Sequence, residues 1–405
     1  MLPRRILLVD ADAFFVAVAR REDPDGAGRA PLLIVGGSAD SRGVVCSASY
    51  ETRAYGVRSA MPTARALKLC PQATCVPVPR AACGRWSHAI AAVLARWSPV
   101  VQAASIDEWY LDLSGTEAMY GARALADVAG EIRADVRSAT GFGVSIGGGT
   151  NRLVAKLAVE LAKPHRDPSF SGVHVVAPGE EGAFMRRFAL GDIPSVGPRF
   201  RERLEHHGLR TVDDALAADL PTLTRWLGER EARWLYDRVR GIDQGVVSGD
   251  DARKSLSREE TFAVDIASDA ALEEELLRLV VSVAADLRGS GLTARTVSIK
   301  LRLATFETKQ ASRTLAAAVV ADRPIFETAR ELLRRLRRSS RGPIRLLGVT
   351  LTGLEDPDAA TQLALFDSAP GATIETPRDR ALAETVDRLR AKFGRGAIVP
   401  GRLVR

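Results

Sequence analysis

Three acids carry the first chemical signal in the sequence: Asp10, Asp107 and Glu108. The last two sit side by side in Ser105-Ile106-Asp107-Glu108, within a β-branched and aromatic stretch from Val100 to Leu113 that Gly115 ends. Neighbouring side chains of a regular strand point to opposite faces, so Asp107 and Glu108 act together only where the chain bends. A hairpin tip joining 100–106 to 109–113 is the simplest bend. An isolated Asp-Glu is ordinarily a pair of solvated turn acids, but a bare pair at a tip repels itself and invites a divalent cation. The third acid favours the cation. Arg5-Ile6-Leu7-Leu8-Val9 reads as a central, doubly buried strand. Asp10 stands at its exit, where a charge must be paired or ligated. Together the three acids supply the hard oxygen donors that Mg²⁺ takes. Two such ions about 4 Å apart clamp the attacking and leaving oxygens of a phosphoryl displacement. Asp12, two positions on, is expected to cap a helix starting near Ala13.

The elements that position these acids belong to an ordinary globular chain. Its 405 residues, 46% apolar and 26% charged, allow two to four domains. No stretch approaches ~20 continuous apolar residues, so no membrane partner is expected. The basic start, Met1-Leu2-Pro3-Arg4-Arg5, is followed by too short an apolar run for a signal peptide. Cys46, Cys70, Cys75 and Cys83 have neither zinc nor disulfide-framework spacing and read as reduced thiols of a cytoplasmic protein. A net charge of +7 points to a polyanionic partner. Gly143-Val144-Ser145-Ile146-Gly147 fits a nucleophile elbow, but three glycines separate its serine from the next helix, and a hydrolase is set aside. Neither a phosphate-loop Gly-Lys nor a dinucleotide fingerprint occurs.

Three stretches carry a resemblance. They are Val9-Asp10-Ala11-Asp12-Ala13-Phe14-Phe15, then Ser49-Tyr50-Glu51-Thr52-Arg53-Ala54-Tyr55-Gly56-Val57-Arg58-Ser59-Ala60-Met61-Pro62, then Ser105-Ile106-Asp107-Glu108-Trp109-Tyr110-Leu111-Asp112. In order and at family spacing they resemble successive motifs of the Y-family DNA polymerases, most of all the bacterial polymerase IV branch. The likeness spans about residues 5 to 352. It implies that Asp10, Asp107, Glu108 and the backbone carbonyl of Ala11 hold two Mg²⁺. Tyr50 and Arg53 share a helical face, and an arginine beside a phenol there can hold a triphosphate. The resemblance adds Lys156 as a neutraliser of the incoming nucleotide, and places Cys46, Ala60 and Met61 as a roof over the nascent base pair. Phe14 and Phe15 at a strand–helix junction are ordinarily core, which suits Phe14. The resemblance sets both beside the nucleotide and makes Phe15 the steric gate. Trp109 departs from the small residue usual after the acid pair, and either narrows the site or packs beneath it. Gly147-Gly148-Gly149-Thr150 departs from the family wording before Asn151, and is read as a loop into the helix from Thr150, which Lys163-Pro164 stops.

The implied architecture is α+β and multidomain, a right-handed polymerase. Residues 1–12 and 75–165 form the palm, 13–74 the fingers, and 166–243 a helical thumb. A linker of 244–252 follows, then a βαββαβ little finger of 253–352 and a tail of 353–405. In the palm, helices are expected at 82–97 and 121–140 and a strand at 141–146. In the thumb, Leu190 to Gly197 leads into a helix from Arg199, as in a helix-hairpin-helix. Gly197 and Arg199 are its candidate DNA-phosphate contacts. In the little finger, strands at 254–264, 294–304, 306–316 and 344–352 alternate with helices at 269–289 and 322–340, the order of a split ferredoxin-like unit. Residues 253–349 hold eighteen Lys/Arg against twelve Asp/Glu, six of the seven net charges, which suits a grip on phosphates. The tail from Glu355 is expected to be disordered. Within it Gln362-Leu363-Ala364-Leu365-Phe366 resembles the peptide that docks on bacterial sliding clamps, with Gln362, Leu363, Leu365 and Phe366 as contacts. Leu382, Val386, Leu389 and Phe393 make one stripe of a short helix near the end.

The expected activity is DNA-directed DNA synthesis of low fidelity, suited to translesion synthesis. Its partners are primer–template DNA, deoxynucleoside triphosphates and a sliding clamp, and the protein is expected to be a monomer. A catalytically silent scaffold that binds DNA and clamp, and a nucleotide cyclase-like enzyme, are the competing readings. The complete acid triad argues against the first, and the fingers motif with the basic C-terminal domain against the second.

Overall fold

The computed structural model describes residues 3–121, 123–164, 171–249, 252–340, 342–357, 375–394 and 396–404. They form two compact units, 1–251 and 252–405. In the first unit the chain runs β1 (Ile6–Ala11), α1 (Phe14–Glu22), β2 (Leu33–Gly36), β3 (Val45–Ala48), a single turn α2 (Tyr50–Arg53), α3 (Thr63–Leu69) and β4 (Thr74–Val76). It continues with α4 (Arg80–Leu94), β5 (Val100–Ala103), β6 (Glu108–Asp112), α5 (Leu125–Thr140), β7 (Val144–Gly149), α6 (Arg152–Ala162) and β8 (Val173–Val175). Five helices close it: α7 (Glu181–Met185), α8 (Pro198–His206), α9 (Val212–Ala217), α10 (Leu220–Leu227) and α11 (Glu229–Arg238).

β1 is buried at all six positions and lies in the middle of a sheet ordered β5-β6-β1-β7-β8. Its alternation decides which helix each residue meets. Leu7, Val9 and Ala11 pack with Phe14, Ile90, Leu94, Trp109 and Ile132, the side covered by α1, α4 and α5. Ile6 and Leu8 face Ala155 and Val159 of α6, with Tyr110 from β6. Asp10 shares the parity of Ile6 and Leu8, and Glu108 that of Tyr110, so both acids open on the α6 side. Trp109 has the opposite parity and is 1% exposed; it packs beneath the site and does not narrow it.

The three glycines before α6 are not the expected loop. They end β7, paired with β1 as Leu8↔Gly147, Leu7↔Gly148 and Ile6↔Gly149. A Cβ at Gly147 would stand 2.1 Å from the backbone nitrogen of Val159 and 2.3 Å from the carbonyl of Ala155. One at Gly149 would stand 2.5 Å from Val154 Cγ1. Bare backbone here lets α6 lie directly against the strand. Ser145 is a fully buried strand residue, which disposes of the nucleophile elbow.

A smaller sheet, ordered β3-β2-β4, carries Tyr50 and Arg53 just after β3. α1 packs on two sides: Phe14 and Val18 lie in the main core, and Val16 and Ala19 pack with Leu33 and Val35 of β2. Cys75 and Val76 pair with Ile34 and Val35, so this smaller sheet runs past residue 74. β8, in the stretch expected to be helical, pairs in parallel with β7 as the sheet's fifth strand. The later helices bury Leu204, Val212, Leu223, Leu235 and Val239 against Leu153 and Leu157 of α6. One helix thus serves both cores.

The second unit runs β9 (Ser255–Ile266), α12 (Asp269–Gly289), β10 (Thr293–Leu303), β11 (Thr308–Val319), α13 (Asp322–Arg338), β12 (Ile344–Glu355) and α14 (Pro377–Phe393). α12 and α13 cover one face of a sheet ordered β11-β10-β12-β9. Every pairing in it is antiparallel. The expected βαββαβ order is present, and β12 lies between β9 and β10, so the βαβ connection through α12 is split as expected.

The short helix expected near the end is present, while residues 358–374 of the expected disordered tail lie outside the described residues. Residues 375–394 hold α14, capped by Thr376 and Asp379. It docks through polar groups, not its apolar stripe. Glu375 accepts from Val320 N at 2.7 Å, Asp379 meets Arg323 at 3.1 Å, and Asp387 meets Arg288 at 2.6 Å. Leu382 and Phe393 stay exposed. The clamp-peptide residues Gln362, Leu363, Leu365 and Phe366 lie outside the described residues.

Candidate active site

Asp10 and Glu108 are direct partners across β1 and β6. Directly opposed residues have Cβ atoms roughly 4.5–5.5 Å apart, close enough for two carboxylates to compete for one cation or one proton. Asp107 stands just outside β6, in the turn between β5 and β6, and its carbonyl accepts from Ala11 N at 2.9 Å. The expected hairpin is therefore present, with its turn at 104–107. Asp107 and Glu108 differ in placement: Glu108 is on the strand facing α6, while the Asp107 carboxylate accepts from Ser105 Oγ.

α6 supplies the opposite charges. Asn151 caps it, its side chain accepting from Val154 N at 3.0 Å. Lys156 pairs with Glu108. Lys163, at the helix end, stands 2.9 Å from Asp10 Oδ2 and 2.6 Å from Glu160. Burial pushes the Asp10 carboxyl up to about 7, against the pull of Lys163 and helped by Glu108. Burial also acts upward on Glu108, but the hydrogen bond and charge of Lys156 bring it below its ordinary value. For Lys163 burial acts downward, and Asp10 and Glu160 together hold it above its ordinary value.

Asp12 does not cap α1. Ala13 occupies the cap position, in left-handed backbone (φ 45°), and no side chain serves it. Asp12 is instead bound into the sheet: Ser145 Oγ donates to its Oδ1 at 2.6 Å, and its own N donates to Gly143 O at 3.0 Å. Its carboxyl is raised by burial despite that bond.

Tyr50 opens α2, and the Arg53 guanidinium lies 4.9 Å from the centre of its ring. Arg53 Nε donates to Ala48 O at 2.9 Å, fixing the arginine to β3. The Tyr50 phenol is held above its ordinary value by burial and then by the negative charge of Asp12. Arg53 and Lys163 act on it in the opposite direction. Phe14 is 1% exposed, in the core, so its ring cannot meet a nucleotide. Phe15 is half-buried and meets Phe14 edge-on at 5.8 Å. Gly197 caps α8 without a side-chain bond, and Arg199 is exposed in its first turn.

Among the described residues no three His, Cys, Asp or Glu side chains stand together as metal ligands. Two acids converge and the third is turned to Ser105, while lysines balance the pair. The donor set still fits a hard divalent cation: two facing carboxylates, a third one residue away, and only oxygens among them. Paired ammonium groups mark where positive charge is needed. Lys163 escaped the sequence reading, which took it for a helix stop. Its signal was the seven-residue spacing from Lys156, about two turns, which repeats one helix face.

Residues 9–160 match the impB/mucB/samB family and 253–365 its C-terminal domain, and 191–243 match the thumb domain of DNA polymerase iota. The chain is 38% identical to DNA polymerase IV of Alkalilimnicola ehrlichii over 90% of its length and all of that relative's. It is 36% identical to DNA polymerase IV of Caulobacter vibrioides over 98% of this chain and 93% of that one. In fold it is similar to the Y-family DNA polymerase chimera Dbh-Dpo4(243-245)-Dbh, with a TM-score of 0.75 at 22% identity, over 86% of this chain and 99% of that one.

Proposed function

Because the chain belongs to the Y-family DNA polymerases of the polymerase IV type, and is a low-fidelity, DNA-directed DNA polymerase of translesion synthesis, we propose how its own residues divide that work. The family uses divalent metal; we assign two Mg²⁺ to Asp10, Asp107, Glu108 and the carbonyl of Ala11. When bound, the ions supply Lewis-acid activation of the primer 3′-hydroxyl and neutralise charge at the α-phosphate. Asp10 and Glu108 hold the anionic pocket open on the α6 side, and Ser105 steadies Asp107 at its rim.

Lys156 and Lys163 each sit on an acid here. Once other positive charge satisfies those acids, both ammonium groups are available to the triphosphate, together with Arg53 and Tyr50. Phe15 lies under the sugar as the steric gate. Phe14 contributes only backbone to the nucleotide pocket. Gly197 and Arg199 at the start of α8 touch a DNA phosphate. Gln362, Leu363, Leu365 and Phe366 dock on a sliding clamp. We further propose palm, fingers, thumb and little-finger domains, with the fingers extended to Val76, acting as a monomer in the cytoplasm. No described helix is long and apolar enough to cross a membrane.

One observation supports this reading most: Asp10 pairs in register with Glu108 on the face that α6 covers with two lysines. Primer extension by Asp107→Ala and Glu108→Ala tests it. Both variants should fold and bind primer–template yet fail to extend it. Extension by both at the unmodified rate would overturn the metal assignment.

A further inference from the structure

The tip of the β10–β11 hairpin carries an anomaly that the polymerase reading leaves unused. Leu303 N donates to Glu307 O at 2.9 Å and Phe306 N to Leu303 O at 2.9 Å, a tight turn whose last residue is left-handed. That residue is Phe306, at φ 67°. Such a position ordinarily holds glycine or asparagine, because a Cβ there costs roughly 1–2 kcal/mol. The ring gains little from the core in return, since Phe306 is 63% exposed.

Its neighbour is equally irregular. Leu303 pairs with Ile344 and Arg302 with Leu346, so Arg345 is the extra residue of a β-bulge in β12. A bulge re-aims a side chain. The Arg345 guanidinium stands 4.6 Å from the centre of the Phe306 ring. Two departures from a regular sheet thus bring one aromatic ring and one cation together in the open. Arg302 and Lys309 flank the turn, and the nearby Glu307 is matched by Lys309 at 3.5 Å.

From this arrangement we propose that Phe306 and Arg345 form a stacking platform for an unpaired base of the DNA substrate. The inference rests on the polymerase reading. A single exposed ring among cations suits a polyanion that offers flat π faces better than it suits an apolar protein groove. Duplex DNA keeps its faces stacked inside, so the occupant is a single-stranded base. Phe306 stacks upon it, and Arg345 stiffens the ring and attracts the phosphate beside it.

The test is binding of the full-length protein to fluorescently labelled oligo(dT)20, followed by anisotropy. Phe306→Ala and Phe306→Leu should each weaken it about tenfold, the scale of one lost base–aromatic stack, and Phe306→Trp should retain it. Phe306→Gly separates a binding role from a structural one: it relieves the turn, so it should raise the melting temperature while weakening oligo(dT)20 as much as Ala. Full affinity in the Ala, Leu and Gly variants overturns the inference, including the case in which the ring serves a protein partner. Failure of the polymerase reading is distinct, since the unmodified protein would then extend no primer.

Discussion

Lys156 and Lys163 lie about two turns apart on α6, and each neutralises a different member of the facing acid pair Glu108 and Asp10. The two lysines compete with any cation for those carboxylates. Lys163→Ala should therefore tighten Mn²⁺ binding in the absence of nucleotide and weaken nucleotide binding in its presence. Charge-assisted bonds of this kind contribute about 1.5–3 kcal/mol, so shifts of about tenfold or more are expected in each direction. Mn²⁺ titration by electron paramagnetic resonance, with and without deoxynucleotide, reads both. A loss of Mn²⁺ affinity in the variant would show that the lysine assists the acids instead of competing for them.

Gly147→Ala and Gly130→Ala should have opposite signs. The first sets a methyl 2.1 Å from Val159 N, where backbone must move, and should destabilise by about 3 kcal/mol or more. The second lies within α5, where a Cβ meets no described atom within 4 Å, and should stabilise by about 0.5–1 kcal/mol. Urea unfolding of the pair decides the matter, and equal midpoints would refute the close packing of α6 on β7.

His174 makes stability depend on pH near neutrality. Burial, and then Arg187, depress its pKa below the ordinary 6.5. The unfolded chain therefore binds the proton more readily. The contribution of His174 is complete above about pH 6.5 and is lost as pH falls through the lower, folded value. Asp10, raised to about 7, acts in the opposite direction over the same range, so the prediction is comparative: between pH 7.5 and 5.5 the unmodified protein should lose melting temperature relative to His174→Gln. An unchanged slope in the variant would assign the effect elsewhere.

Arg288 should govern the docking of α14. Its side chain is 8% exposed and binds Asp322 at 2.8 Å and Asp387 at 2.6 Å. Arg288→Ala leaves both acids without their cation, and breaking a buried pair costs about 3–5 kcal/mol. Limited proteolysis should then cut within 377–393 well before the sheet of the second unit unfolds. Protection equal to that of the unmodified protein would mean that other contacts hold the helix.

Periodicity made much of this legible. The apolar run at 6–9 marked the central strand, and the adjacent acids Asp107 and Glu108 marked the bend between β5 and β6. The long helices of the second unit carried strong repeats; α12 falls at the expected residues and α13 ends two short of them. What escaped was set by contacts between distant segments. Glycine usually interrupts strands, so Gly147-Gly148-Gly149 read as a loop until α6 was seen to need bare backbone beneath it. β8 is three residues long, too short for any pattern, and exists because β7 offers it an edge. Apolar spacing marked Leu382 and Phe393 as the buried side of α14, yet acids turned towards Arg288 and Arg323 decide how it docks. Lys163 looked like punctuation because a proline follows it.

Where α6 crosses β7 at Gly147, main chain rests on main chain. The placement of the α6 backbone behind the acid pair is accordingly governed by peptide geometry, while the lysine side chains that α6 carries can turn from the acids to a substrate. On the reading proposed above, any looseness with which this enzyme accepts a misshapen base pair would originate near Ala60 and Cys46, both of them exposed. A tolerant template pocket mounted on an unyielding main-chain scaffold would let copying err in shape while the phosphate chemistry stays in line.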